Sequence, residues 1–307
     1  MTRLRRWARA YFALQAVAGG AWWVAVFTWP AVREATLGDL DPVAVAVFDI
    51  PLFVVASALA AMGFKAAAVV AAGWTTLVAT ALAVYATITT EAGWGVVVMA
   101  AAAAGSLLAV CVVVLDRIPT DWVIRGPFAF RTADARRTVA ANVTGTFAQI
   151  VVFWGLFLVV IPLVIATLER RWAVGLAVSG FAGVVGVVGV VALVLASGLG
   201  IWSAIVMSTL GDGTPLPSST ANRLVIAGPY RWVRNPMALA GIAQGVAVGL
   251  ILSSWLVIVY AVAGSLVWNY VVRPQEEADL ELRFGDQFLR YRRAVRCWVP
   301  RRPRSAP

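Results

Sequence analysis

Apolar residues run along this chain in long blocks rather than in the short amphipathic stripes of a soluble helix. Blocks at roughly 11–29, 43–63, 66–89, 93–115, 143–167 and 173–209 are each long enough to cross a hydrocarbon core, which takes ~20 apolar residues per helix. Two tighter blocks at 237–252 and 254–272 read as a helical hairpin. The pattern predicts an all-α, polytopic transmembrane bundle of about eight crossings. Beyond it, Leu280, Phe284, Phe288, Tyr291 and Val295 recur at spacings of three and four, the stripe of a C-terminal amphipathic helix that could rest on the membrane surface. The run Trp172–Leu210 has no charge and exceeds one simple crossing, so it is expected to tilt, extend past the membrane or break near "ASGLG".

Charge orients these blocks. Arginines crowd the N-terminus, the segment 116–137 (Arg117, Arg125, Arg131, Arg136, Arg137), the segment 223–234 and the tail, while Lys65 marks another loop. The alternate loops carry Glu34, Asp39, Asp41 and Glu91, or the mixed Glu169-Arg170-Arg171. By the positive-inside rule both termini are cytoplasmic, and the expected location is a bacterial cytoplasmic membrane. Arg3, Arg5, Arg6 and Arg9 before the first block resemble a signal-peptide n-region, but Ala13–Trp29 is long and Trp-rich, which favours a retained span.

Composition agrees: 61% of the residues are hydrophobic and 13% charged, against ~25% charged in a soluble domain. The net charge of +10 is spent beside the ends of apolar blocks, so a nucleic-acid partner is not expected, whereas anionic membrane lipids are. The two cysteines, Cys111 and Cys297, suggest neither a disulfide framework nor a metal site. There is no histidine, which removes the commonest general base and metal ligand, and one lysine, which makes Schiff-base chemistry an unlikely design.

Smaller features are ambiguous. Gly180, Gly183, Gly186 and Gly189 recur every third residue; with no preceding strand they fit close helix packing better than a phosphate loop. "VIRGPFAF" (123–130) faintly echoes "VIAGPYRW" (225–232), which we take as chance. Asp49, beside Pro51, reads as an interfacial cap on the second span, or as a functional intramembrane acid.

After Leu210 the character changes. "GDGTPLP" (211–217) is a Gly/Pro loop, and "GPYRWVRNPMALAG" (228–241) sets two arginines and an amide at the mouth of a span. Snorkelling anchors would explain the arginines. However, the hairpin is short and returns the chain at "RPQEEADLELRFGDQFLRYRRAV" (273–295), so Arg231 and Arg234 should meet Arg273, Glu276 and Glu277 on one side of the membrane.

These three blocks, in this order, resemble the integral-membrane methyltransferases, which include isoprenylcysteine carboxyl methyltransferases and phospholipid N-methyltransferases. The resemblance covers about residues 205–300. It implies a cytoplasm-facing pocket for S-adenosyl-L-methionine and methyl transfer to a lipophilic acceptor, such as a prenylated thiol carboxylate or a lipid amine. It implies that Gly211 and Gly213 lie against the cofactor, that Tyr230, Arg231 and Arg234 bind its amino-acid end, and that Glu276 and Glu277 take its amino group or ribose hydroxyls. Phe284 and Tyr291 would support the pocket, and Arg273 would hold an anionic acceptor group. Asn235 stands where the family has histidine, the tyrosine that follows is Leu239 or absent, and Phe288 replaces the first tyrosine of the last block; Asn235, Arg273 and Glu277 are the candidates nearest the chemistry. Residues 1–140 would form a four-span region of unknown role and 141–307 the methyltransferase-like domain.

Methyl transfer from a sulfonium needs alignment and a dry pocket more than a base. Without histidine, the activity is expected to show no enzyme-derived break near neutrality, unless the adjacent Glu276 and Glu277 push one carboxyl upward. The other classes that fit the charges are an NADPH-dependent membrane reductase like the sterol reductases, and a non-enzymatic transporter or scaffold.

Overall fold

The structure, a computed structural model, describes residues 3–120, 138–176, 182–214 and 221–300. Among these residues every regular element is helical. Seven helices are long and apolar enough to cross a membrane, and a shorter apolar one accompanies them. The protein is an integral membrane protein.

The chain divides into two compact units, Met1–Pro119 with Thr167–Gly175, and Thr120–Ala166 with Leu176–Pro307. In the first unit α1 (Arg3–Thr28), α3 (Pro42–Met62), α4 (Lys65–Thr89) and α5 (Gly93–Leu115) form the bundle, with α2 (Pro30–Leu37) a short connector. Asp41 caps α3 by accepting from the Ala44 N–H, with Pro42 at the first helical position. The cap is therefore Asp41, eight residues before the acid expected in that role. Asp49 lies inside the span, buried, and each of its oxygens takes an indole N–H: Trp23 at 2.9 Å and Trp74 at 2.7 Å. A wide π turn at Ile50–Val55 follows, where Pro51 removes a donor from the ladder. At the far end of α3, Arg9 donates to the carbonyls of Ala61 and Met62, satisfying acceptors that the helix leaves open.

The second unit contains α6 (Val139–Arg171), whose last turn belongs with the first unit, then α7 (Ala182–Leu210), α8 (Pro236–Ile251) and α9 (Trp255–Val267). The long apolar run does not break at "ASGLG": α7 is continuous from Ala182, and the break lies earlier, in the turn and loop after Arg171. Of the spaced glycines, Gly189 packs against α8, where a Cβ would come within 3.0 Å of the Ala247 carbonyl. Gly183 and Gly186 face open space, and Gly180 lies outside the described residues, as do most of the arginines expected in 116–137 and the segment 123–130. Ser254 caps α9 through the Val257 N–H and so turns the α8–α9 hairpin.

The larger departure is at the end of that hairpin. The amphipathic segment is not a separate helix on the surface. A π turn at Trp268–Val272 carries α9 directly into α10 (Arg273–Ala294), and Pro274 sits in the first turn of α10, where its missing N–H costs little. The apolar stripe is real, but it turns inward: Phe288, Tyr291 and Val295 are buried, with Leu224, Leu280 and Phe284 packed on them.

Candidate functional site

The site is built where three pieces of the second unit meet. The first is the loop after α7. Gly211 ends that helix, and its carbonyl accepts from the N–H groups of Asn222 and Arg223 at 2.7 and 3.1 Å. A Cβ on Gly211 would sit 2.5 Å from the Met207 carbonyl and 2.9 Å from Ala221. The glycine thus allows the chain's own backbone to close, behind the cavity wall. Gly211 and Gly213 are both buried and neither lines the cavity; Thr214 does. Between them Asp212 adopts a positive φ of 51° and pairs with Arg223 at 2.8 Å.

The second piece is "GPYRWVRNP". Gly228 takes φ +54°, which favours glycine, and starts a single 3₁₀ turn over Gly228–Arg231. The turn buries Tyr230 and leaves Arg231 exposed and off the cavity wall. Arg234 and Asn235 follow. Asn235 is the N-cap of α8: its side-chain oxygen accepts from the Ala238 N–H at 3.3 Å, and Pro236 opens the helix behind it.

The third piece is α10. Its first turns bring acids to those two residues. Arg234 Nη2 lies 3.2 Å from Glu277 Oε1, and the Asn235 amide donates to Glu276 Oε2 at 3.4 Å. The second half of α10 closes the wall, with the Tyr291 hydroxyl donating to the Tyr230 carbonyl at 2.7 Å. It reaches back because Gly285, at φ 48° and ψ −126°, bends the helix in a conformation that side chains resist. Past the helix, the Arg234 N–H donates to the Arg296 carbonyl at 3.0 Å, and Trp298 donates to Asn269.

Together they enclose a cavity of about 250 Å³, near the lower bound of ligand pockets at ~300 Å³. Tyr230, Arg234, Asn235, Glu276 and Tyr291 line it, five of the residues singled out from the sequence. Glu277 stands behind Arg234, and Arg273 is one turn of α10 away from Glu276, with its Nε buried and without a hydrogen bond. Sequence reasoning missed Asp279, Arg283 and Trp268, which also line the cavity. Asp279 and Arg283 pair at 3.1 Å across one helical turn, and Arg283 also donates to the Ala221 carbonyl. Their spacing of four was the available signal.

Two electrical features stand out. Arg234 keeps Nε and Nη1 buried without a hydrogen-bond partner, and so does Trp268 at Nε1. Three buried donors on residues of the cavity wall are therefore without an acceptor. On the same wall, burial pushes the Glu276 carboxyl up to about 7, helped by the neighbouring charges of Glu277 and Asp279 and opposed by the Asn235 hydrogen bond. Burial also holds the Tyr230 and Tyr291 phenols far above their ordinary range, so they form wall and hydrogen bonds rather than bases.

A cavity whose wall carries both unpaired donors and a buried carboxyl with spare acceptor capacity, at the exit of a membrane hairpin, suits a zwitterionic ligand. Residues 184–287 match the phospholipid methyltransferase family. That stretch takes in α7 from its third residue onward, the hairpin, and α10 to just past Gly285, so it holds almost the whole cavity wall, with Tyr291 beyond its end. No curated protein and no solved structure matches the chain. The matched stretch is about a third of the chain and leaves the N-terminal helical bundle outside it.

Proposed function

We propose that the second unit is an S-adenosyl-L-methionine-dependent methyltransferase acting on a lipophilic acceptor at the cytoplasmic face of the membrane. The observation that carries this reading is one cavity wall holding both the unpaired Arg234 donors and the buried Glu276 carboxyl, within a segment matching phospholipid methyltransferases. The cofactor would supply an electrophilic methyl on a sulfonium that leaves as a neutral thioether. Its amino-acid end fits the donor set: Arg234 and Trp268 would hold the carboxylate, and Glu276 the ammonium. Asn235 keeps Glu276 turned toward the cavity, and Glu277 holds the Arg234 guanidinium in place. Asp279 is the second acceptor available to hydroxyl groups.

The acceptor's nucleophile attacks in line, so the protein's task is alignment and exclusion of water. A carboxylate or thiolate acceptor arrives ionised. An amine must arrive neutral, because Glu276 is already engaged by the cofactor's ammonium and no histidine stands beside it. Arg273, one turn from Glu276 with a buried Nε that has no hydrogen bond, would hold an anionic part of the acceptor. Asn235 cannot titrate, and its two hydrogen-bonding ends are already used on α8 and Glu276.

The test is direct. Purified full-length protein in detergent should bind S-adenosyl-L-methionine and its demethylated product, and transfer a radiolabelled methyl group into an extract of membrane lipids. Binding of NADPH in place of the methyl donor would move the protein to the reductase class. Binding of neither would leave the charge cluster as a structural device.

A further inference from the structure

The first unit holds a second and larger cavity, of about 700 Å³, between α1, α3, α4 and α5. Its size falls inside the ~300–1,000 Å³ typical of ligand sites. Leu14, Ala18, Phe48 and Val98 line it and are also exposed on the outer faces of their helices, so it opens sideways through the apolar part of the bundle. Hydrocarbon can enter there without crossing water.

Each side-chain donor group on its wall has an acceptor, and only the Gln15 amide keeps a second N–H. Gln15 donates to Ser57 and accepts from Ser106, all three buried. Tyr11 donates to the Ala102 carbonyl, Tyr85 to Glu91, and Thr36 to the Val32 carbonyl. The Trp22 indole donates to Thr36 and the Trp74 indole to Asp49. What otherwise remains is acceptor capacity, and one group dominates it. The Asp49 carboxyl is 3% exposed and acts as a pure acceptor, one indole N–H on each oxygen. A carboxylate offers about four lone-pair sites, so about half are unused. Among the described residues no arginine or lysine forms an ion pair with it. An acid within a span normally has a partner or marks a site. Rings of Trp22, Phe48, Phe53 and Trp74 share the same wall, and ring faces attract cations.

We propose that this cavity is a binding site for a lipophilic amine, with the alkyl body in the apolar chamber and the ammonium on Asp49 among the aromatic rings. An anionic head group meets a carboxylate and no cationic side chain on the wall. A neutral alcohol can donate one hydrogen bond but brings no charge to match. The site lies wholly within the first unit and rests on no part of the methyltransferase reading.

The test uses the full-length protein in maltoside micelles, titrated with dodecylamine, dodecanol or dodecanoate and read by native mass spectrometry. Wild type should retain one dodecylammonium with at least about tenfold higher affinity than dodecanol, and no dodecanoate. Asp49→Asn should reduce the amine-to-alcohol preference to near unity. Ala18→Phe, which leaves Asp49 and its indoles intact, should narrow the chamber and weaken amine and alcohol alike. Equal retention of amine and alcohol by wild type would overturn the proposal, even if Asp49→Asn does not fold. So would amine binding that survives undiminished in Ala18→Phe, because the amine would then be held elsewhere.

Discussion

If Glu276 receives the ammonium of the methyl donor, the cavity should bind that ligand in a pH-dependent way, the case that the adjacency of Glu276 and Glu277 left open in the sequence. The carboxyl sits at about 7 in the free protein, so it is mostly ionised at about pH 8 and mostly protonated at about pH 6. A bound cation favours the ionised form, so affinity should rise with pH. Scaling affinity with the ionised fraction gives a loss of roughly tenfold from about pH 8 to about pH 6, or ~1.4 kcal/mol. The assay is equilibrium binding of radiolabelled S-adenosyl-L-methionine to detergent-solubilised protein across that range. Wild type, Glu276→Gln and Glu277→Gln should be compared, because the ligand's own amino group titrates near ~8 and cancels only in the ratio to a variant. Glu276→Gln should bind weakly at every pH, with the wild-type slope abolished. Glu277→Gln should keep a slope with its midpoint moved to lower pH, since one of the like charges that raise Glu276 is gone. Asn235→Ala should move the midpoint the other way. A wild-type slope that survives unchanged in Glu276→Gln would refute the assignment of the ammonium to that carboxylate.

The same carboxyl makes stability fall with pH. Its folded value lies above its unfolded value, so the fold favours the protonated form; that contribution is present below about pH 4.5 and is lost as pH rises to about 7. Melting curves of Glu276→Gln should lack this decline and lie above wild type at about pH 8. Glu277→Gln strands a guanidinium that is 13% exposed; a loss near the lower end of the ~3–5 kcal/mol seen for broken buried pairs is expected, and an unchanged melting temperature would refute the pairing. Gly285→Ala should cost about 1–3 kcal/mol by forcing a side chain into a glycine-only conformation, and should weaken ligand binding because the Tyr291 half of the wall hangs from that bend. A reporter fused after Pro307 should read as cytoplasmic; a periplasmic signal would overturn the orientation drawn from the arginines.

Much of this architecture was visible in the chain. The spans were legible because apolar blocks of bilayer length have few other uses, and the seven long helices with the short Pro236–Ile251 follow them closely. The meeting of Arg234 and Asn235 with Glu276 and Glu277 was legible because a short hairpin must return its ends together. Other features depend on contacts that no local pattern encodes. Asp49 looked like a cap because its indole donors are 25 and 26 residues away. Gly211 and Gly213 looked ligand-facing because glycine permits close approach without saying to what; for Gly211 the close neighbour is its own chain. Arg231 looked equivalent to Arg234, but a single 3₁₀ turn sends one out and the other in. Asp279 and Arg283 were hidden among residues that resemble a solvated face.

The π turn at Trp268–Val272 acts as an angular setting. It is equivalent to one residue inserted into a helix that otherwise runs from the membrane to the cavity without a loop. An ordinary α-helix would rotate each downstream residue by about 100° and shift it ~1.5 Å relative to where the inserted residue places it. The face that Glu276 presents to Asn235 is thus fixed inside the bilayer, several residues before the acid. Deleting one residue from this stretch would not shorten a connection; it would rotate the entire acidic face of α10 away from Arg234, with every charged residue of the site still present in the sequence.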